Sequence, residues 1–176
     1  AWTNRPVWPQ GFQMPNNDSD KPKNLNWNLW LGPASYTNYS SNLHPFNWRG
    51  WWDYGTGALG DMGCHIYDPT FKALGLTYPI SLRSEGPVPN KHNWAVDAVV
   101  HYLFPKTPYS EGNQLPVTWY DGATRPPSRV TSLLEGNPPP KQGSVIVGTE
   151  GVMLLPRQTF SSHIQSIPVR KIQEAQ

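Results

Sequence analysis

The sequence has little cysteine, little net charge and no long apolar run, and each shortage excludes a class of protein. The single cysteine, Cys64, excludes an internal disulfide and a multi-cysteine metal site. The 14 Lys and Arg against 12 Asp and Glu leave a formal net charge of +2, too weak a basic field to attract a nucleic acid. The longest apolar runs, such as 152–155, hold four or five residues, whereas a membrane span needs roughly 20. We therefore expect neither a nucleic acid nor a membrane partner.

Two further signals are missing. No charged and apolar leader opens the chain, so the bacterial cytoplasm and the periplasm both stay open as compartments. His92, His101 and His163 stand singly, without the spacing of a metal site, so no metal is expected.

Proline, glycine and tryptophan, by contrast, are abundant. The 20 Pro and 15 Gly stay below the range typical of disorder and predict many shaped loops. Most of the 9 Trp lie in the polar first half of the chain. Their flat apolar faces and polar tips suit the C–H faces and hydroxyl groups of a sugar, and the alternative is that they fill a loop-rich core.

The first half of the chain is expected to hold a long excursion followed by helix. At 176 residues the chain has room for one domain, which we expect to be a fragment, because residues 2–8 are already extended in character. Residues 9–50 form a loop excursion with a short helix or turn at 25–33. Residues 56–74 are helical but broken by Pro69, with Asp68 capping a second short helix.

The second half is expected to be strands. Val/Ile-rich segments with Gly, Pro and Asn between them predict strands at 80–84, 95–104, 117–120, 144–147 and 152–155, and a hairpin turn at 149–151. Residues 157–176 are expected to form an edge strand or tail. We find no βαβ alternation and expect no glycine-rich phosphate loop, so the fold class is α+β with a mostly antiparallel sheet.

The D-x-x-x-H pattern of Asp61 and His65 is the first candidate for chemistry. On a helix the two side chains lie one turn apart on one face, while Leu59, Met62 and Ile66 form a separate apolar stripe. A carboxylate beside an imidazole orients the ring and stabilises it when it takes a proton. By itself this spacing is more often a surface contact than a catalytic pair.

Longer motifs surround this pair. The run W-R-G-W-W-D-Y-G-T-G-A-L-G-D-M-G-C-H at 48–65 follows H-P-F-N at 44–47. W-T-N-R-P-x-W-P-Q-G opens at Trp2, W-x-L-W-L-G-P begins at Trp27, and W-Y-D-G begins at Trp119. Taken in their order along the chain, the four segments resemble the family of glucose-fructose oxidoreductase, inositol dehydrogenase and MocA proteins (Gfo/Idh/MocA), and look closest to a bacterial branch of it.

The resemblance implies a fold and a division of labour. In that family an N-terminal Rossmann domain holds NAD(P), and a C-terminal α+β domain supplies the substrate pocket and the subunit interface. Residues 1–176 would be that second domain, with an open, mostly antiparallel mixed sheet and helices on one face. The family's D-x-x-x-H motif falls on Asp61 and His65, which implies that His65 is the catalytic base. The lysine of the family's E-K-P motif lies in the Rossmann domain, and no Glu-Lys-Pro occurs here.

Four other residues are candidates for substrate binding. Arg49, flanked by Trp48 and Trp51, is placed to hydrogen-bond substrate hydroxyls, although Arg stacked on a structural Trp is an equal alternative. His44 is placed to contact substrate or to cap a turn. We interpret Cys64 as a small buried residue that points away from His65.

The sequence therefore predicts the substrate-binding domain of an NAD(P)-dependent oxidoreductase acting on a sugar or polyol, with His65 as proton acceptor. The partner would be a nucleotide-binding domain outside this chain, without which the chain is inactive. Because a sheet with one uncovered apolar face needs a partner, a homo-oligomer is expected. The alternative is a stand-alone carbohydrate-binding or scaffold protein.

Overall fold

A computed structural model describes residues 1–13, 21–134 and 138–156, and the backbone of 165–168. A mixed seven-stranded sheet runs through these residues in the order β2-β3-β4-β1-β5-β6-β7. The only parallel neighbours among these strands are β1 and β4. The α+β class and the open, mostly antiparallel sheet are confirmed.

The strands and helices have the following bounds. The strands are β1 Trp2–Thr3, β2 Ser81–Glu85, β3 Val99–Pro105, β4 Gln114–Tyr120, β5 Gln142–Val147, β6 Gly151–Pro156 and β7 Gln165–Pro168. The α-helices are α1 Trp27–Leu31, α2 Gly57–Ala73 and α3 Ser128–Thr131, and 3₁₀ turns lie at Asn47–Gly50 and Ser132–Leu134.

The long helix α2 packs on the middle of the sheet through its predicted apolar stripe. Met62 and Ile66 are buried against Val100 and Trp119, with Leu59 partly buried beside them. Burying side chains of this size contributes roughly 1.5–3 kcal/mol each. The hydroxyl of Ser144 on β5 also donates to the Ile66 carbonyl at 3.1 Å. Asp61 and His65 lie about 100° round the helix from Met62 and Ile66, outside the side that packs on the sheet.

The predicted break of the helix at Pro69 is wrong. Helix α2 runs through Pro69 to Ala73. Proline removes the N–H that would bond the carbonyl four residues earlier, but Pro69 is exposed, so water can satisfy that group. Asp68 is consequently not a cap. Its carboxylate pairs with Lys72 one turn later, at 3.1 Å.

The predicted strand at 95–104 begins late, at Val99. Asp97 has a positive φ of 61°, which is incompatible with extended backbone. Its carboxylate accepts the Ala123 N–H at 2.6 Å, which holds that conformation in place. Residues 95–98 therefore form a tight corner that leads into β3.

A buried carboxylate fastens this corner to β4. Asp121, 2% exposed, accepts the Ala98 N–H at 2.8 Å and the Trp119 indole N–H at 3.1 Å. Burial raises the pKa of Asp121 above its ordinary value, although the hydrogen bond from Trp119 and that from Ala98 both act to lower it. The W-Y-D-G motif is therefore a structural clamp.

The excursion predicted at 9–50 has its own apolar core over its described part. Helix α1 ends at Leu31, before the Gly32-Pro33 pair, as the sequence predicted for a short helix there. This core consists of four buried side chains of the excursion and one that directly follows it: Trp27, Leu31, Tyr39, Leu43 and Trp51. Several tryptophans thus fill a core, as one of the two interpretations of their abundance held.

The far side of the sheet carries a third apolar cluster and a polar patch. Trp2, Leu134 and Leu154 are buried together. Towards β2, however, His101 on β3 lies 3.3 Å from the Glu85 carboxylate, which also pairs with Arg83. At this end the face opposite α2 is charged, so the expectation of an uncovered apolar face does not hold there.

The predicted edge strand or tail at 157–176 lies mostly outside the described residues. Within it, the backbone of Gln165–Pro168 forms β7 at the edge of the sheet, antiparallel to β6. None of the described helices has the length and apolar character needed to cross a membrane.

Candidate functional site

A 3₁₀ turn just before α2 places the side chain of Arg49 against that helix. The 3₁₀ turn Asn47–Gly50 precedes α2, and the Arg49 Nε lies 3.4 Å from the Asp61 Oδ1. The two side chains are 26% and 31% exposed. A partly exposed ion pair of this kind contributes only about 0–1 kcal/mol to stability. The pair is thus accessible to a ligand, and the stability of the fold depends little on it.

Aromatic rings surround the guanidinium of Arg49. Its central carbon lies 4.3 Å from the centroid of Phe46, 4.6 Å from that of Trp48 and 5.9 Å from that of Trp8. It also donates to the Phe46 carbonyl at 2.9 Å. Stacking restricts the side chain, so the N–H groups that remain free are presented in a fixed direction. Of the residues that sequence analysis placed here, Arg49, Trp48 and Asp61 come together.

His65 is exposed on α2, one turn beyond Asp61. Within the described part of the chain, no hydrogen bond or ion pair joins the two side chains, because the Asp61 carboxylate pairs with Arg49 instead. In this structure, Asp61 therefore makes no direct contact through which it could orient the His65 ring, as the sequence had suggested. His65 is accessible, as a proton acceptor must be.

Trp51 and His44 lie elsewhere. Trp51 is 1% exposed, and its indole N–H donates to the Asn42 carbonyl at 2.6 Å, so it is a core residue and not a surface contact for substrate. His44 packs edge-on against Trp30, with ring centroids 5.7 Å apart, beside the core of the excursion. We drop Trp51 from the candidate substrate contacts.

A residue that sequence analysis missed is Trp52. It is 48% exposed and lies flat on Trp94, with ring centroids 4.3 Å apart and an interplanar angle of 5°. Its position directly after Trp51 gave no signal, because a pair of adjacent tryptophans does not say which of them is buried. Alternation provides one in retrospect, since neighbours in an extended segment face opposite sides.

The glycine spacing G-x-G-x-x-G, typical of phosphate-binding loops, does occur at 55–60. The expectation that the chain has no glycine-rich phosphate loop did not take this spacing into account. Its context differs from that of a dinucleotide site, because the strands that the structure describes form no βαβ unit around it. The space at the glycines is filled by protein: Gly55 packs on the Arg49 backbone, and a Cβ on Gly57 would lie 2.9 Å from the Trp94 ring. Gly57 also has a positive φ of 65°. These residues do not fit a nucleotide pyrophosphate.

Cys64 is exposed, and the prediction that it is buried is wrong. It follows Gly63 on α2, and its thiol faces the Asp61 carbonyl at 3.6 Å. In the ranges that the structure describes, no group of three His, Cys, Asp or Glu side chains could hold a metal ion. His163 lies outside these ranges.

Three cavities, of about 550, 350 and 180 Å³, are lined by residues other than Asp61 and His65. The chain is thus an α+β domain with an open mixed sheet, whose ionisable helix face lies at the surface and not in one of these cavities.

Residues 6–127 match the Gfo/Idh/MocA oxidoreductase family, specifically its C-terminal alpha/beta domain. The match covers more than half of the 176 residues, and the chain belongs to this family. No curated protein matches the sequence.

Proposed function

We propose that this chain is the substrate-binding domain of an NAD(P)-dependent oxidoreductase that acts on a hydroxyl group of a sugar or polyol. The observation that carries the proposal is the exposed His65 one turn from the Arg49–Asp61 pair, within the stretch that matches the family. An exposed imidazole beside fixed hydrogen-bonding groups suits removal of a hydroxyl proton.

The residues of this chain would bind the substrate and take its proton. The hydroxyl proton passes to a ring nitrogen of His65, while the carbon loses a hydride and becomes a carbonyl. A nicotinamide, held by a domain outside these residues, would supply the acceptor of that hydride. Arg49 donates to neighbouring hydroxyl oxygens, and the Asp61 oxygen not paired with Arg49 accepts from a hydroxyl. The test is reduction of NAD⁺ or NADP⁺ by the full-length protein with a panel of sugars and polyols.

A stand-alone carbohydrate-binding protein is the second candidate, and one observation favours it. The groove of about 550 Å³ on the excursion is rich in amide and aromatic groups, with Asn24, Asn26, Trp27, Asn28, Tyr36 and Tyr39 in its lining. Its size is that of an ordinary ligand site. Sugar binding by the full-length protein, with no nicotinamide reduction for any substrate, would favour this candidate over the enzyme.

We expect chain 1–176 to show no measurable binding of NADH by calorimetry. The glycines at 55–60 are packed against Arg49 and Trp94, so the backbone cannot approach a pyrophosphate as it does in a dinucleotide fold. The full-length protein, which supplies the nucleotide domain in this proposal, is the positive control. Micromolar affinity of the chain itself for NADH would contradict this division of labour.

We also propose that the protein forms a homo-oligomer through the free edge of its sheet. Strand β2 is the first strand of the sheet order and all five of its residues are exposed, including Leu82 at 63%. Exposed edges of this kind pair with other strands. Light scattering at about 100 µM, where contacts of standard size are occupied, should give a dimer or larger. Leu82→Lys should shift it to monomer, and a monomeric wild type would refute the proposal.

A further inference from the structure

We propose that Trp52 is a stacking platform for the ring of a cyclic sugar, and that it makes the site select a pyranose over an open-chain polyol. The inference rests on the proposed function and narrows its substrate class. It is carried by the shape, the rigidity and the position of the Trp52–Trp94 pair.

The shape of the pair is a flat, half-exposed surface. The two rings are parallel within 5°, with centroids 4.3 Å apart, so Trp94 covers one face of Trp52. Because Trp52 is still 48% exposed, its other face is the accessible one. An indole face of this kind matches the planar array of C–H groups on one side of a pyranose ring.

The rigidity of the pair comes from contacts on the Trp94 side. The Trp94 indole N–H donates to the Gly55 carbonyl at 3.0 Å, and its ring fills the space at Gly57 where a Cβ would lie. The Trp94 backbone N–H donates to Gly50 at 2.9 Å, and that of Trp52 to His92 at 3.1 Å. A surface that is already ordered loses little conformational entropy when a ligand stacks on it.

The position of the pair is beside the Arg49–Asp61 site. Trp94 contacts Gly57, the first residue of α2, and Asp61 lies one turn further along the same helix. Gly55, which accepts from Trp94, packs on the backbone of Arg49. Through Trp94, the platform is thus fastened to the first turn of α2, which leads to Asp61, and to the turn that carries Arg49.

The selectivity follows from conformational entropy. A pyranose is held by its own ring closure in the shape that stacks on a flat surface. An open-chain polyol with the same number of carbons must freeze several C–C torsions to present an equal face, and each frozen torsion reduces its affinity. Trp52 should therefore favour the cyclic substrate much more than the open-chain one.

The experiment compares D-glucose with D-glucitol as substrates of the full-length protein. Trp52→Ala should lower kcat/KM for glucose by roughly 10- to 100-fold, mostly through KM, since the platform binds the ring and does not take part in the chemistry. For glucitol the loss should stay below about threefold. Trp52→Phe, which keeps a flat ring, should recover most of the loss. Tyr78→Ala, which removes another exposed aromatic residue, should leave kcat/KM unchanged for both substrates.

The outcomes separate this inference from the proposed function. Sugar oxidation with unchanged kcat/KM in Trp52→Ala, or an equal loss for both substrates, would overturn the platform and leave the reaction standing. If the protein oxidises nothing, binding of methyl β-D-glucopyranoside by NMR saturation transfer takes the place of turnover. Trp52-dependent binding would then support the platform while the reaction is refuted, and Trp52-independent binding or none would refute the platform too.

Discussion

Replacing His65 by Ala in the full-length protein should lower kcat by about 10²- to 10⁴-fold, the usual loss for a general base. Cofactor affinity should change much less, because the proposed role of His65 is to take the substrate proton and not to hold the nucleotide. The fold should survive, because His65 is exposed and the packing of α2 uses Met62 and Ile66 on another side of the helix. Steady-state kinetics and a thermal melt of the same preparation measure both effects.

The companion variant is Asp61→Asn. Since Asp61 pairs with Arg49 and not with His65, its loss should act mainly on substrate binding and raise KM more than it lowers kcat. A structural role for His65 predicts a different pattern, in which His65→Ala melts several degrees earlier and activity falls only with the folded fraction. A His65→Ala enzyme that keeps wild-type kcat would refute the proposed base, because the substrate proton would then have another acceptor.

Asp121→Ala should destabilise the domain by about 2–6 kcal/mol. The substitution leaves two donors without an acceptor, the Ala98 N–H and the Trp119 indole N–H, and each unsatisfied buried donor costs roughly 1–3 kcal/mol. For a domain of this size, at about 2–4 °C per kcal/mol, that lowers Tm by about 4–24 °C. Asp68→Ala removes an exposed carboxylate from the same protein and should shift Tm by less than about 2 °C. Equal Tm values for the two variants would show that Asp121 is not a clamp.

The pH dependence of this clamp has an unusual sign. Because burial raises the pKa of Asp121, the native state binds a proton more readily than the unfolded chain, so Asp121 adds stability as the pH falls. Asp121→Asn has no such titration. The unfolding free energy of the wild type minus that of Asp121→Asn should therefore increase as the pH falls from about 7 to about 4. A value that decreases over this range would contradict the raised pKa.

Local sequence signals predicted the elements of this fold well where one preference dominated. The stripe of Leu59, Met62 and Ile66 identified both the helix and its buried side. They failed where a distant group decided the backbone. The positive φ of Asp97 is stabilised by a hydrogen bond from Ala123, and no pattern within 95–104 reveals that partner. Pro69 likewise stayed inside α2, because the helix is held by its packing on the sheet.

The sequence by itself determined the family, the fold class and the helix that carries Asp61 and His65, since motifs and apolar periodicity are local properties of a chain. Only the tertiary structure decided what these side chains contact. It paired Asp61 with Arg49, buried Trp51 in a core and laid Trp52 on Trp94. Each of these contacts depends on a turn or corner whose conformation is set by long-range packing and hydrogen bonds, and local periodicity does not encode which distant residues will meet.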